Sequence, residues 1–389
     1  MLLRGLELHD YRNLARASLG LEPGFTVLWG HNGAGKTNLL EALYLVSTLR
    51  SFRTSDLGVL VRHEAPGARV EVSGHDPVLG VGTTLEVRLE RRGASTRRTA
   101  TADGKVVRSG AQFYGRVRAV LFTPEDLGVL RGSPTGRRQF LDRVIFARDR
   151  AHIGDVQAYE KLLRSRNRVL KDDVPPAQRE GLLATYEAGL AERGARLWSR
   201  REELLADLQE RFSSAFGAIH GELGSTPEGG GPAARATLRY HSKLGPVPAA
   251  EREAALLAGL LERRPLDLRR GSTSVGPHRD DLLVELDGQL AGDFASQGQS
   301  RALVLAFKLA EVQAARDHGG APPLLLLDDV SSELDPRRTA LLFRTLAEHA
   351  GQCILTTTSP RYIDLPPAVP SRRHRVDRGT VQLDDGDAA

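Results

Sequence analysis

Apolar positions keep a strand rhythm over the first third of this chain and a helical one through the middle. Short apolar or alternating runs at Leu6 to His9, Phe25 to Trp29, Arg69 to Ser73, Thr84 to Glu90 and Arg118 to Phe122 predict strands. One early helix breaks the series. Asn38 to Leu49 repeats apolar residues at helical spacing, with Leu39, Leu40, Leu43 and Val46 available to face a sheet. After Pro124 the texture turns helical. Ser133-Pro134 reads as a cap and first turn, Asp155 to Lys171 carries an arginine-rich polar face, and Pro175-Pro176 ends that helix.

A longer helical stretch runs from Ala177 to about Phe216. Leu183, Tyr186, Leu190, Leu197, Leu204, Leu208 and Phe212 recur in it at spacings of three, four and seven, while Gly194 and Arg201 interrupt the stripe. About 40 residues at about 1.5 Å each reach only ~60 Å, so a packed helical lobe is expected, not a long coiled-coil arm. Gly217 to Ala234, with Gly229-Gly230-Gly231-Pro232, reads as a loop, and Glu251 to Arg264 as another helix. From Ser274 the chain is expected to rejoin its first lobe. Ala302 to Ala315 is helical, Leu324 to Leu327 and Gln352 to Thr356 are strands, Arg375 to Leu383 suggests a terminal hairpin, and Asp384 to Ala389 a disordered tail. No internal repeat is present. The class is α/β. One lobe is split between residues 1–125 and 270–389, and a mainly helical lobe, 126–269, is inserted.

Chemistry enters where the second strand meets the first helix. Gly30-His31-Asn32-Gly33-Ala34-Gly35-Lys36-Thr37 fits the phosphate-binding P-loop at every fixed position, and it lies between a strand and a helix that opens at Asn38. Glycines let backbone N–H groups converge on phosphates at a helix N-terminus. Lys36 is expected to hold the phosphates and Thr37 a magnesium ion; a glycine-rich turn with a surface lysine is the bland alternative. Leu324 to Leu327 followed by Asp328-Asp329 reads as a buried parallel strand whose carboxylates emerge at its carboxyl end, where open α/β sheets bind ligands. Asp328 is the expected magnesium ligand and Asp329 the expected base for an attacking water. A plain strand-terminal acid pair is the competing reading. Ser296-Gln297-Gly298-Gln299-Ser300-Arg301 precedes this strand, and Ser332-Glu333-Leu334-Asp335 follows it. Either alone is an ordinary helix start or turn.

Composition narrows the class without naming it. At 389 residues the chain can bury a large core. No apolar run approaches the ~20 residues of a membrane span, and Met1-Leu2-Leu3-Arg4 leads straight into a strand, so a cytoplasmic protein is expected. The single cysteine, Cys353, rules out an internal disulfide and fits a reduced core position. Net charge is +5, yet only six of the 54 basic residues are lysines. Arginines cluster at Arg88, Arg91, Arg92, Arg97 and Arg98, and at Arg131, Arg137, Arg138 and Arg143. Each cluster is either a solvated face or a phosphate-contacting patch. Aromatics are few, so duplex backbone contact suits this chain better than base stacking. His278 has no second histidine or cysteine at ligand spacing, and no zinc site is expected.

The order of the four motifs resembles the ABC-type ATPase heads, among which the SMC-like branch is nearest. Asp10-Tyr11-Arg12-Asn13-Leu14, Ser51-Phe52-Arg53-Thr54, Phe122-Thr123-Pro124-Glu125-Asp126-Leu127, Arg137-Arg138-Gln139-Phe140-Leu141-Asp142 and Gly276-Pro277-His278-Arg279-Asp280-Asp281-Leu282 are similar to the RecF family of bacterial DNA replication and repair proteins. That resemblance implies ATP and magnesium as cofactors and a weak, DNA-stimulated ATPase without nuclease chemistry. It implies an ATP-dependent homodimer on double-stranded DNA at gaps and single-strand/double-strand junctions, which works with RecO and RecR to place RecA on strands coated by single-strand-binding protein. It also implies that Ser296 and Gly298 close a partner's nucleotide site, that Asp335 lines the dimer seam, and that Arg12 and Asn13 lie beside the nucleotide. An SMC-like tether and a transporter's ATPase subunit are the alternative classes; the first lacks its arm here. Three departures stand out. Thr356-Thr357-Thr358 occupies the place of a transporter head's histidine, Thr123-Pro124-Glu125 stands where a glutamine loop is expected, and Asp329 replaces a glutamate one methylene longer.

Overall fold

In the computed structural model, the described residues are 1–75, 80–93, 95–107, 113, 116–149, 151–172, 174–222, 234–317, 322–329, 336–349 and 351–384. The chain forms two compact units, Met1–Leu127 with Lys308–Ala389, and Gly128–Phe307.

The first unit holds two sheets. One is antiparallel, built from β1 (Leu2–Tyr11), β2 (Leu14–Gly20), β4 (Gly67–His75), β5 (Gly82–Arg92), β6 (Ser95–Ala102) and β7 (Lys105–Val106), in the order β2-β1-β4-β5-β6-β7. Its strands alternate: Leu6 and Leu8 of β1, Val70 and Val72 of β4, and Leu85, Val87 and Leu89 of β5 are buried, as one-sided burial requires. The second sheet contains β3 (Gly24–Trp29), β8 (Ala119–Phe122), β12 (Leu324–Leu327), β13 (Gln352–Thr357), β14 (Ser371–Asp377) and β15 (Thr380–Leu383), in the order β15-β14-β3-β13-β12-β8. Every pair from β14 to β8 is parallel. β12 is apolar throughout, and β12 and β13 are buried residue by residue, the signature of a sheet covered on both faces. Helix α1 (Lys36–Thr48) packs against strands of both sheets and buries nearly all its residues. Gln352 ties the sheets together, exchanging hydrogen bonds of 2.8 and 2.7 Å with the Leu3 amide and carbonyl.

The strand and helix expectations hold in this unit, but β2 and the arginine-bearing β6 were not foreseen. At the tail, Asp384 is ordered: it accepts a 2.8 Å hydrogen bond from the Trp29 indole, and its amide donates to the Arg373 carbonyl. The rest of the expected disordered tail, residues 385–389, lies outside the described residues.

The second unit is built on α2 (Pro134–Arg148), α3 (Ala151–Lys171), α4 (Pro176–Glu222) and α5 (Arg252–Arg270). A small sheet, β11-β10-β9, joins β9 (Ala236–His241), β10 (Asp281–Leu286) and β11 (Gln289–Leu290). A short helix, α6 (Ala291–Phe294), leads into α7 (Gln297–Asp317), inside which the two units divide. Two expectations need correction. The chain does not rejoin the first unit near Ser274, because β10 pairs along its length with β9, and Phe307 packs on Phe140 and Phe212. The loop expected from Gly217 begins later, since α4 runs unbroken to Glu222.

Neither interruption in the α4 stripe is a flaw. Gly194 gives room to Leu256, Pro277 and Tyr159, and Arg201 is buried against Asp142. Three helices are pinned by one cation. Arg166 of α3, with no exposed side-chain surface, donates to Glu187 of α4 at 2.9 Å and to Asp267 of α5 at 2.8 Å, and both carboxylates are equally buried. Removing this arginine strands a buried carboxylate. Arg166→Met is therefore expected to lower unfolding free energy by about 3–5 kcal/mol, read by denaturant titration of Trp198 fluorescence in the same unit; a loss under about 1 kcal/mol contradicts it.

Candidate functional site

Strand β3 ends at Trp29, and the next six residues wrap into a loop before α1 begins at Lys36. The turn depends on glycine. Gly30 has φ 152°, and a Cβ there would overlap the Val376 carbonyl oxygen of β14; Gly35 has φ 116° and lies against the Asn13 side chain. Gly35 caps α1 without a side-chain acceptor, so the Lys36 and Thr37 N–H groups remain for an anion. The Lys36 ammonium bonds the carbonyls of Gly30 at 2.7 Å and His31 at 3.0 Å. Burial lowers its pKa, while Asp329 and Asp328 act the other way. Two hairpin tips brace the loop: Asn13 Nδ2 donates to the Gly33 carbonyl at 3.2 Å, and the Gly379 amide to the Ala34 carbonyl at 2.9 Å.

β13 lies between β3 and β12, with Leu355 opposite both Val27 and Leu327. That register brings Asp328 to the P-loop helix. Asp328 Oδ1 accepts from the Thr37 hydroxyl at 2.8 Å and from the Thr356 hydroxyl at 2.8 Å. Burial raises the Asp328 pKa, the two hydroxyls oppose that rise, and Glu125 and Asp329 add to it. Asp329 sits in the left-handed region at φ 46°, and its amide donates to Thr356 Oγ1 at 2.9 Å. Thr356 was not foreseen as a site residue. Its place near the end of the strand beside the acidic one was the available signal.

Asn38 Nδ2 donates to Asn13 Oδ1 at 2.7 Å, and Arg53 Nη1 to Asn38 Oδ1 at 2.9 Å. Arg12, Asn13, Asn38, Arg53 and Arg91 line a cavity of about 470 Å³ beside the loop. Thr37 and Asp328 present hard oxygen atoms at one point, a donor set that suits Mg²⁺.

Ser296 and Gly298 lie in the other unit, at the start of α7. Ser296 Oγ accepts from the Gln299 amide at 3.2 Å, and Gln299 Oε1 accepts from the Ser296 amide at 2.9 Å, a reciprocal capping box. Ser332 to Asp335, including the expected seam residue Asp335, lie outside the described residues.

Residues 2–366 match the model of the RecF/RecN/SMC N terminal domain family. The chain is 42% identical over 385 residues to the DNA replication and repair protein RecF of Anaeromyxobacter sp. (strain Fw109-5), covering 98% of this chain and 99% of the relative. It is 43% identical to the protein of that name from Myxococcus xanthus (strain DK1622), covering 92% and 91%. The chain belongs to the RecF family. A solved structure of the recombination mediator protein RecF-ATPrS in the RecFOR pathway superposes with a TM-score of 0.83 at 28% identity, covering 98% of this chain and 97% of that one. An Smc head bound to the C-winged helix domain of ScpA, at 14% identity and a TM-score of 0.52, shares the fold.

The two most distinctive RecF-like motifs of this chain interlock inside the helical unit. Arg137 grips Asp281 with two hydrogen bonds of 2.7 and 2.6 Å, and Arg138 donates to the Asp280 carbonyl at 2.9 Å. Arg201 holds Asp142 and the Pro277 carbonyl. Tyr240 donates to Asp280 at 2.9 Å, and burial pushes that carboxyl up to about 6. His278 is fixed as a neutral ring: Nδ1 pairs with the Tyr159 hydroxyl at 2.8 Å and Nε2 with the Thr273 carbonyl at 3.1 Å, a carbonyl that can only accept. The histidine thus has a structural setting.

Burial lowers His278 from 6.5 to about 4. Between those values the unfolded chain binds the extra proton, so the stability tied to the neutral ring is complete above about pH 6.5 and is lost as pH falls toward 4. Asp280, raised from 3.8 to about 6, acts in the opposite direction over that window. The informative readout is a difference. The unfolding free energy of the natural chain minus that of His278→Gln should shrink as pH drops from about 7 to about 4.5, and a flat difference contradicts the buried neutral ring.

Proposed function

We propose that this RecF-family chain is an ATP-dependent DNA-binding switch of recombinational repair and replication-fork maintenance, working in the bacterial cytoplasm. The observation that carries the proposal is the convergence of Lys36, Thr37 and Asp328 at an uncapped helix N-terminus, from segments separated by most of the chain. The Lys36 ammonium and the Lys36 and Thr37 amides receive the triphosphate, with Gly30 to Asn38 shaping the cradle and Arg12 and Asn13 at its side. Thr37 and Asp328 hold magnesium, which neutralises phosphate charge when bound. Asp329 orients the attacking water.

Ser296 acts on the nucleotide of a second copy. Its oxygen already accepts the Gln299 amide, which leaves the hydroxyl proton for an acceptor, and that proton has none among the described residues. A γ-phosphate oxygen of the partner's ATP supplies it; Gly298 and Asp335 belong to the same seam. The ATP-bound dimer clamps double-stranded DNA at gaps and single-strand/double-strand junctions, acts with RecO and RecR to place RecA on strands coated by single-strand-binding protein, and releases the duplex on hydrolysis. The names carried by its relatives, DNA replication and repair protein and recombination mediator, support this reading.

Sedimentation with ATP, with ADP and without nucleotide, each with and without duplex DNA, tests it: dimers specific to ATP and DNA are expected. Lys36→Met should abolish both ATP binding and dimerisation. Ser296→Arg should bind ATP within a few-fold of the natural chain while remaining monomeric, and loss of ATP binding in that variant refutes the action in trans. Asp329→Asn should lower kcat about a hundredfold or more from a turnover that is itself below the ~10 per second enzyme median.

A further inference from the structure

One carboxylate behind the nucleotide cradle has more partners than a helix residue needs. Glu41 lies on α1, five residues after Lys36, and has no exposed side-chain surface. Its Oε2 accepts from Arg12 Nε at 2.8 Å and its Oε1 from Arg12 Nη2 at 2.7 Å, a two-point grip on the guanidinium. Oε1 also accepts from the Ser51 hydroxyl at 2.5 Å, and Arg53 Nη1 stands 4.0 Å from Oε2. Burial and this carboxylate together raise the Tyr11 phenol well above its ordinary value. Glu41 therefore joins two segments distant in sequence, Tyr11-Arg12 and Ser51 to Arg53.

Arg12 occupies an unusual backbone position. At φ 55° it lies in the left-handed region, which a non-glycine residue holds only when its surroundings compel it. Two interactions supply the compulsion: the Arg12 amide donates to the Leu60 carbonyl at 2.8 Å, and the side chain is gripped by Glu41. The neighbouring Asn13 touches the P-loop at Gly33. Nε and Nη2 being committed to Glu41, the Nη1 amino group has no acceptor among the described residues, and Arg12 lines the cavity beside the loop.

We propose that Glu41 is a positioning residue for nucleotide binding, presenting the free Nη1 edge of Arg12 to an oxygen of the bound nucleotide. This rests on the assignment of the P-loop to ATP made above. A guanidinium locked by two hydrogen bonds gives up little further freedom when a ligand arrives, whereas an unheld arginine must be ordered at that moment. The grip also offsets the charge of Arg12 within the fold, so the residue is shaped for a directed hydrogen bond more than for long-range attraction. The competing role is a buried ion pair that merely fastens the β1–β2 turn to α1.

The test is a double-mutant cycle on Arg12→Gln and Glu41→Gln, read by calorimetry with ATP and by steady-state kinetics. Each single variant should weaken ATP binding about tenfold, as loss of an orienting partner does elsewhere, and the double variant should be no weaker than the worse single one. KM for ATP should rise with kcat held within about twofold. Additive losses near a hundredfold, or a fallen kcat at unchanged KM, overturn the proposal, since the first shows Glu41 acting apart from Arg12 and the second shows a damaged fold. Should Glu41→Gln fail to fold, Arg12→Lys probes the pair from its other side: charge is kept, the two-point grip is lost, and an unchanged KM is equally fatal. Lys36→Met serves as the control. If that variant still binds ATP, the P-loop assignment fails, whatever the cycle gives.

Discussion

Two threonine hydroxyls meeting on one carboxylate oxygen hold this architecture's chemistry in place. Thr37 follows the P-loop lysine, Thr356 is the next-to-last residue of β13, and both donate to Asp328 Oδ1 just past the end of β12. The Thr37 and Asp328 partners are 291 positions apart. They meet because three buried strands align in parallel, with β13 as the spacer. Parallel strands need long crossovers, and here the crossover from the first third of the chain to the last contains an entire helical unit. The site therefore exists only after non-local pairing is complete, and no fragment with just the P-loop or just the acidic strand contains it.

That dependence extends to the loop itself. A P-loop without nucleotide is a run of glycines, each free to leave the cradle shape. In this chain the Asn13 turn supports one side, while the turn between β14 and β15 supports the other through Gly379 and Ala34. Close contact of Gly30 with the Val376 carbonyl leaves no room for a side chain. Both supports are tips of antiparallel hairpins, one from each end of the chain. Such bracing lowers the conformational freedom surrendered on binding, and it makes the terminal hairpin part of the cradle.

What was legible in the sequence is what local period and composition can carry. Four leucines ending in two aspartates announced β12, and the P-loop declared its own strand and helix. Ser133 capping α2 and the proline break before α4 were equally plain. The partners that complete the site were not. Glu41 sits between Leu40 and Ala42 with nothing local to mark it as buried, because its burial is satisfied by arginines from other elements. Gly194 and Arg201 looked like interruptions for the same reason: one makes room for Tyr159 and Leu256, the other neutralises Asp142. The late return to the first unit was hidden too, since β10 belongs with β9 through pairing that no single segment encodes.

The two acids of the pair differ in backbone conformation. Asp328 follows an extended strand, buried and fixed by two hydroxyls, whereas Asp329 turns left-handed immediately after it, with its amide held by the same Thr356. A side chain leaving a left-handed position points along a different direction from its neighbour, so the two adjacent carboxylates leave the chain in different directions. Aspartate tolerates that conformation better than glutamate does, because its short polar side chain bonds locally. The missing methylene at Asp329 is thus consistent with its backbone, and it shortens the reach toward any attacking water. In the switch proposed above, limited reach would be no defect: slow hydrolysis would lengthen the interval during which two subunits stay closed.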